Sequence, residues 1–329
     1  MLVARTITEQ LAHSSWIRRM FEEGARLKQE RGAARVYDFT LGNPDVEPPG
    51  AVLQALSRVL SSGRPHLHGY MPNAGFPEVR EVIAGQLTAT TGLPFTTDDI
   101  FMTVGSSGAC NVILKALLDP GDEVIVLLPC FSEYRFYVSN HAGRLVTVET
   151  GDDFLPDPER IAAALTPRTR ALILNTPNNP SGRVYPAETL RAIEAVLSRA
   201  EHPIVVLSDE PYRHLVYDGR RQPEVASHIT YTAICNSWSK SQAVSGERIG
   251  YLALSPRLPG LPALRSACTS PTVFWVLSML PLSGSWSRPK FPKPPLMSPP
   301  TRPSAICSVR VWRASDTRSP RPKAPSMYS

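Results

Sequence analysis

At 329 residues the chain has the bulk for one large or two ordinary domains around a real core. Its formal net charge of +6 sums two unlike parts. Residues 1–269 hold 26 Lys+Arg against 28 Asp+Glu, net −2, while residues 270–329 hold 9 basic residues and one acid, Asp316, net +8. The basic balance belongs to the tail, so it gives no reason to expect nucleic acid or an anionic membrane as a partner of the first 269 residues. Cys110, Cys130, Cys235, Cys268 and Cys307 are too scattered for a disulfide framework or a metal-ligand pattern. No signal-peptide core and no bilayer-length apolar run is apparent, so a cytoplasmic location is expected.

In chain order, Ile7, Leu11, Ile17, Phe21 and Leu27 among charges predict one or two amphipathic helices over 4–31. Residues 37–44, Tyr-Asp-Phe-Thr-Leu-Gly-Asn-Pro, read as a short strand running into a turn. Helices are expected over 51–61 and 76–87. A helix over 107–118 puts Ala109, Val112, Ile113, Ala116 and Leu117 on one face and stops at Asp119-Pro120-Gly121. Strand-like apolar runs follow at 123–129, 144–150, 170–175, 203–208, 231–236 and 249–254, with helical stretches such as 187–200 between several of them. That alternation predicts an α/β fold with a parallel sheet. The rhythm ends near residue 270: the last 59 residues hold 12 prolines, one glycine (Gly284) and no glutamate. Such a Pro/Ser/Arg-rich segment reads as disordered.

In an open α/β sheet, ligand groups gather at the carboxyl ends of strands and at helix N-termini. Four features fall there. Gly105-Ser106-Ser107-Gly108-Ala109 precedes a helix and could receive a phosphate, although such a start is more often just a cap. Asn175-Thr-Pro-Asn-Asn-Pro-Ser-Gly182 follows a strand and would aim Asn179 inward; taken alone it is a plain turn. Ser208-Asp209-Glu210-Pro211-Tyr212 ends the apolar strand from Ile204, where an acid without a partner is costly to bury.

The fourth feature is Asn236-Ser-Trp-Ser-Lys-Ser-Gln-Ala-Val-Ser-Gly-Glu-Arg-Ile-Gly-Tyr251. Here Lys240 stands among small hydroxyl residues, eight positions before Arg248. A lysine in that setting suits a phosphorylated aldehyde: the amine forms a Schiff base while Ser237 and Arg248 grip the phosphate. Before the tail the chain has only Lys28, Lys115 and Lys240, and Lys240 alone sits at a strand end. Lys28 and Lys115 read as solvated helix residues.

Over roughly residues 30–265 these motifs, in this order and spacing, resemble the pyridoxal-phosphate (PLP) enzymes of aminotransferase class I/II, the fold-type I group. The resemblance implies a three-layer αβα large domain with a mostly parallel sheet, preceded by an N-terminal arm over 1–44 and spanning 45–268. It implies that Lys240 carries the cofactor and later shuttles a proton between the substrate Cα and the cofactor C4′, and that Asp209 pairs with the pyridine nitrogen. Tyr212 and Asn179 would hold the ring's phenolic oxygen. Ser106, Ser107, Gly108, Ser237 and Arg248 would hold the phosphate. Phe131, in Pro129-Cys-Phe-Ser-Glu-Tyr134, takes the place of the stacking aromatic. Gly42, in Leu41-Gly-Asn-Pro44, together with Asn179 would meet the substrate carboxylate. Tyr70, in Gly69-Tyr-Met-Pro-Asn-Ala-Gly75, would reach the phosphate of a neighbouring subunit, which implies a homodimer.

The implied reaction is transfer of an amino group from an amino acid to a 2-oxo acid, with activity expected to be impaired in this truncated chain. A β-lyase on the same scaffold and an inactive truncated product are the alternatives. The resemblance also implies a small C-terminal domain with a carboxylate-binding arginine, and residues 269–329 supply no motif for it. Out-of-frame translation is the expected account of that tail. Read across codon junctions, Phe274–Trp275 must give Leu and Trp275–Val276 must give Gly. Both fit a run Arg-x-Leu-Gly-x-x-Asn-Ala-Pro that looks like the family's own continuation.

Overall fold

The computed structural model describes residues 2–38, 42–65 and 67–270, without the side chains of residues 5, 6, 9–18 and 21. The tail expected to be disordered or out-of-frame lies outside the described residues. The first helix, α1 (Arg5–Arg31), ends at Gly32, whose φ of +83° is open to glycine at no steric cost. Tyr37 and Asp38 belong to no strand, against the sequence expectation. Asp38 is instead drawn back onto α1 by Lys28, at 2.6 Å. Residues 39–41 of that expected strand lie outside the described residues. Next come α2 (Gly50–Leu60) and α3 (Pro77–Thr91). Pro77 opens α3, where its missing N–H has no helical partner to lose, and Gly92 closes it in the left-handed region.

The sheet is built from β1 (Ile100–Thr103), β2 (Glu123–Leu128), β3 (Arg144–Glu149), β4 (Thr169–Asn175), β5 (Val205–Asp209), β6 (Thr232–Ser237) and β7 (Gly250–Leu254). Their order is β1-β7-β6-β5-β4-β2-β3, which puts β5 in the middle. Strands β2 to β6 pair in parallel, and β7 runs antiparallel to both β6 and β1. Six of these strands answer to the expected runs within one or two residues. The short β1 has no counterpart among them.

Alternate residues of the buried strands point to opposite faces, as the two-residue repeat requires. On one face Val124, Val126, Ile173, Leu207 and Leu252 pack against α4 (Gly105–Leu117), α5 (Tyr134–Ser139) and α9 (Leu261–Thr269). On the other, Ile125, Leu127, Leu172, Leu174 and Val206 pack against α6 (Pro158–Ala164), α7 (Ala187–Leu197) and α8 (Val225–His228). The result is three layers, αβα. Each such side chain, fully buried, contributes roughly 1.5–3 kcal/mol, so the sheet and its two covers form one cooperative body.

The start of α4 is two residues earlier than its apolar face suggests. Gly105 to Gly108 form its first turn rather than a loop before it, because β7 holds the glycine end down. A Cβ on Gly250 would stand 2.5 Å from both the Asn236 carbonyl oxygen and the Gly105 carbonyl carbon. Three backbones thus meet where no side chain fits. Gly250→Ala must push α4 off the sheet edge, and is expected to destabilise the fold by about 3 kcal/mol. Urea unfolding of the variant beside the parent checks it; an unchanged midpoint would show that the contact is loose.

Candidate active site

The carboxyl ends of β4, β5 and β6 bring three polar residues together: Asn175, Asp209 and Ser237. Asn175 acts as a staple. Its Nδ2 donates to the Asp209 carbonyl at 2.9 Å, and its Oδ1 accepts from the Asn179 backbone N–H at 2.6 Å. That fixes the turn after β4 relative to the end of β5. Asn179 Nδ2 in turn donates to the Tyr212 hydroxyl at 3.3 Å. The sequence expectation that Asn179 and Tyr212 share one task therefore has a direct contact behind it.

Asp209 is 6 % exposed and ends the central strand. Its Oδ2 accepts from the Tyr134 hydroxyl at 2.6 Å, while its Oδ1 is buried with no hydrogen-bond partner. Burial raises its pKa to about 6, against the Tyr134 hydrogen bond, which favours the charged form. The Ser106 hydroxyl also stands close enough to favour the charge, without hydrogen-bond geometry. A buried carboxylate oxygen left open is expensive, and it marks a place where a cationic donor belongs.

Ser106, Ser107 and Gly108 lie in the first turn of α4, whose leading N–H groups have no acceptor within the helix. Gly105 has φ of +71°, and a Cβ there would stand 2.9 Å from a guanidinium nitrogen of Arg248. The arginine thus lies against the helix start, anchored by its donation to the Ser245 carbonyl at 3.0 Å. Ser237, buried at the end of β6, pairs in register with Gly250, whose backbone touches Gly105. Free N–H groups, hydroxyls and a guanidinium at one helix end make an anion cradle.

Lys240 is half-buried three residues past β6. Its Nζ donates to the Gly42 carbonyl at 2.5 Å, so Lys240 and the Gly42 turn meet although 198 residues separate them. Burial, then the Arg248 charge, lower its pKa, which brings the neutral, nucleophilic amine within easier reach. Lys28 is paired with Asp38 and Lys115 is exposed on α4, as expected of solvated helix residues. Phe131 is half-buried and meets Tyr134 edge-on at 5.6 Å. Tyr70 is fully exposed and does not join the cluster within this chain.

Two residues that the sequence left unassigned, Tyr134 and Tyr137, touch the site from α5. Tyr137 hydrogen-bonds Ser107 Oγ at 2.8 Å. Their i, i+3 spacing was the available signal, but six residues are too few to show a helical period.

A lysine, a buried acid with one open oxygen and an anion cradle, all at strand ends, suit a pyridine ring carrying an aldehyde and a phosphate. The seven-stranded αβα body is that of the fold-type I pyridoxal-phosphate transferases. The chain belongs to the aminotransferase class I and II family, which it matches over residues 34–274. It is 40 % identical over 227 residues to the aspartate/prephenate aminotransferase of Thermus thermophilus, a match covering 68 % of this chain and 58 % of that protein. To the aspartate aminotransferase of Pyrococcus horikoshii it is 30 % identical over 245 residues, 74 % of this chain and 60 % of the other. Among solved structures, an aminotransferase from Eubacterium rectale superposes with a TM-score of 0.78 at 34 % identity, over 82 % of this chain and 69 % of that one. The chain thus spans less than two thirds of the length of these curated relatives.

Asp209→Asn tests the electrostatics. Below pH 4 both folded and unfolded chains hold the proton; between about 4 and 6 only the folded one does; above 6 the folded state bears the full cost of a buried charge. The variant is therefore expected to raise the stability of the cofactor-free protein by about 1–3 kcal/mol at pH 8, with the gain vanishing near pH 4. Cofactor affinity is expected to fall at least about tenfold. Thermal unfolding across that pH range and a binding titration check both; destabilisation at pH 8 would mean that Asp209 is better paired than its open oxygen indicates.

Proposed function

We propose that this chain is a PLP-dependent aminotransferase that moves an amino group from an amino acid to a 2-oxo acid. The observation that carries the reading is the open Oδ1 of buried Asp209 at the end of the central strand, with Lys240 just past the neighbouring β6 and the α4 cradle beyond it. Pyridoxal phosphate, when bound, supplies a protonated ring that accepts the electrons released when a bond to the substrate Cα breaks.

The chain's own residues divide the remaining work. Lys240 would bind the cofactor aldehyde through its amine and would serve as the base and acid for the proton at the substrate Cα. Asp209 keeps the pyridine nitrogen protonated through the oxygen that Tyr134 leaves free. Tyr212 and Asn179, already in contact, would hold the phenolic oxygen, and Phe131 would stack on the ring. Ser106, Ser107, Ser237, Arg248 and the N–H groups around Gly108 hold the phosphate. The Gly42 turn, in contact with Lys240, and Asn179 would meet the substrate carboxylate. Tyr70, exposed and clear of its own cluster, is free to reach the phosphate of a second copy in a homodimer. The relatives' names favour acidic amino acids such as aspartate as donors. This reading divides the chain into an N-terminal arm over 1–44 and a large domain over 45–268.

The test is product analysis with aspartate as donor and 2-oxoglutarate as acceptor. Oxaloacetate formation that requires the acceptor, and that Lys240→Ala lowers by at least about 10³-fold, is the expected outcome. Ammonia release without an acceptor would replace the transferase reading with the lyase one. Equal turnover by Lys240→Ala would remove Lys240 from the chemistry.

A further inference from the structure

Helix α5 sends two phenols toward the site. Tyr134 and Tyr137 sit one turn apart, with ring centroids 6.2 Å from each other and planes at 70°. The first donates to Asp209, at the ring-nitrogen end of the cofactor position read above; the second bonds Ser107, at the phosphate end. Tyr137 is 8 % exposed, and its hydroxyl has Ser107 Oγ as its hydrogen-bond partner. A buried phenol keeps its proton and must place it on an acceptor, so Tyr137 donates and Ser107 accepts. Burial also pushes the Tyr137 pKa up, which keeps that donor protonated throughout the working range.

The consequence falls on Ser107. A hydroxyl carries one proton and two lone pairs. With a lone pair taken by Tyr137, its rotor is restricted and its own proton points away from Tyr137. Among the described residues Ser107 Oγ donates to no protein acceptor. Asn111 secures the same turn from below, its Nδ2 donating to the Ser107 carbonyl at 2.9 Å, and His141 holds Asn111 Oδ1 at 3.1 Å. The serine is thus pinned at its backbone and its side chain, with one donor left open at the start of α4.

We propose that Tyr137 is a positioning residue for the cofactor phosphate: by occupying a lone pair of Ser107 it turns the Ser107 O–H into a preset donor toward the phosphate. The inference rests on the PLP reading of the site. It also makes α5 a brace across the cofactor, setting the acid at one end and the phosphate donor at the other from a single short helix.

Binding of pyridoxal phosphate and of pyridoxal, which lacks the phosphate, separates the possibilities when titrated by absorbance into the full chain. Tyr137→Phe and Ser107→Ala are each expected to weaken pyridoxal phosphate about fivefold, the size of one net hydrogen bond, and to leave pyridoxal unchanged. In the Ser107→Ala background, Tyr137→Phe is expected to cost nothing more, because its only route to the phosphate has been removed. Unchanged pyridoxal phosphate affinity in Tyr137→Phe overturns the proposal. So does an equal loss for both ligands, which marks a general packing role, and so does a full additional loss in the double variant. If the parent itself binds the two ligands equally, the phosphate cradle falls and this proposal with it. A parent that discriminates while Tyr137→Phe does not respond removes only the role of Tyr137.

Discussion

A carboxylate buried at the end of the central strand, with one oxygen held by a phenol and the other left open, is the constraint around which this molecule is arranged. The fold compensates the Asp209 charge from two directions, Tyr134 from α5 and the Ser106 hydroxyl from the start of α4, while the Asn175 staple from β4 fixes its backbone. The remaining cost is not removed by the protein. It is held in reserve for a cationic ligand group, so the cofactor-free chain gives up stability at neutral pH that a bound pyridinium would return.

The second constraint is geometric. An anion can rest on the first turn of α4 only if nothing bulky stands between that turn and the strands beneath it. Gly105 and Gly250 meet backbone to backbone, and Arg248 closes over the contact. A side chain at Gly250 would move the helix end, and one at Gly105 would displace the Arg248 guanidinium. Packing and binding are thus one requirement here, and the residues that satisfy it come from β6, β7 and α4, over a hundred positions apart in the chain.

Much of this was legible in the sequence, for identifiable reasons. The parallel strands are unbroken apolar runs because both of their faces are covered, so each announces itself. Asp209, Asn179 and Lys240 stand out because each lies at the end of such a run or within four residues of it. Other features depend on tertiary context. The strand β1 is only Ile-Phe-Met-Thr and exists by pairing with β7, more than a hundred residues later. The start of α4 looks like a loop because Gly and Ser are poor helix formers, and it is helical because β7 holds it. Tyr37 and Asp38 stand outside any strand, with Lys28 tying Asp38 back to α1. The i, i+3 spacing of Tyr134 and Tyr137 is too weak a signal in a six-residue helix, and their importance lies in which side chains they reach.

The central claim is that Lys240 is the amine that receives the cofactor aldehyde at this site. Incubation of the full chain with pyridoxal phosphate, reduction with borohydride and peptide mapping of the label test it most directly. The account predicts a single stable adduct, on Lys240, that forms more slowly in Asp209→Asn and Arg248→Ala. A label spread over Lys28 and Lys115, or absent from Lys240, would contradict it.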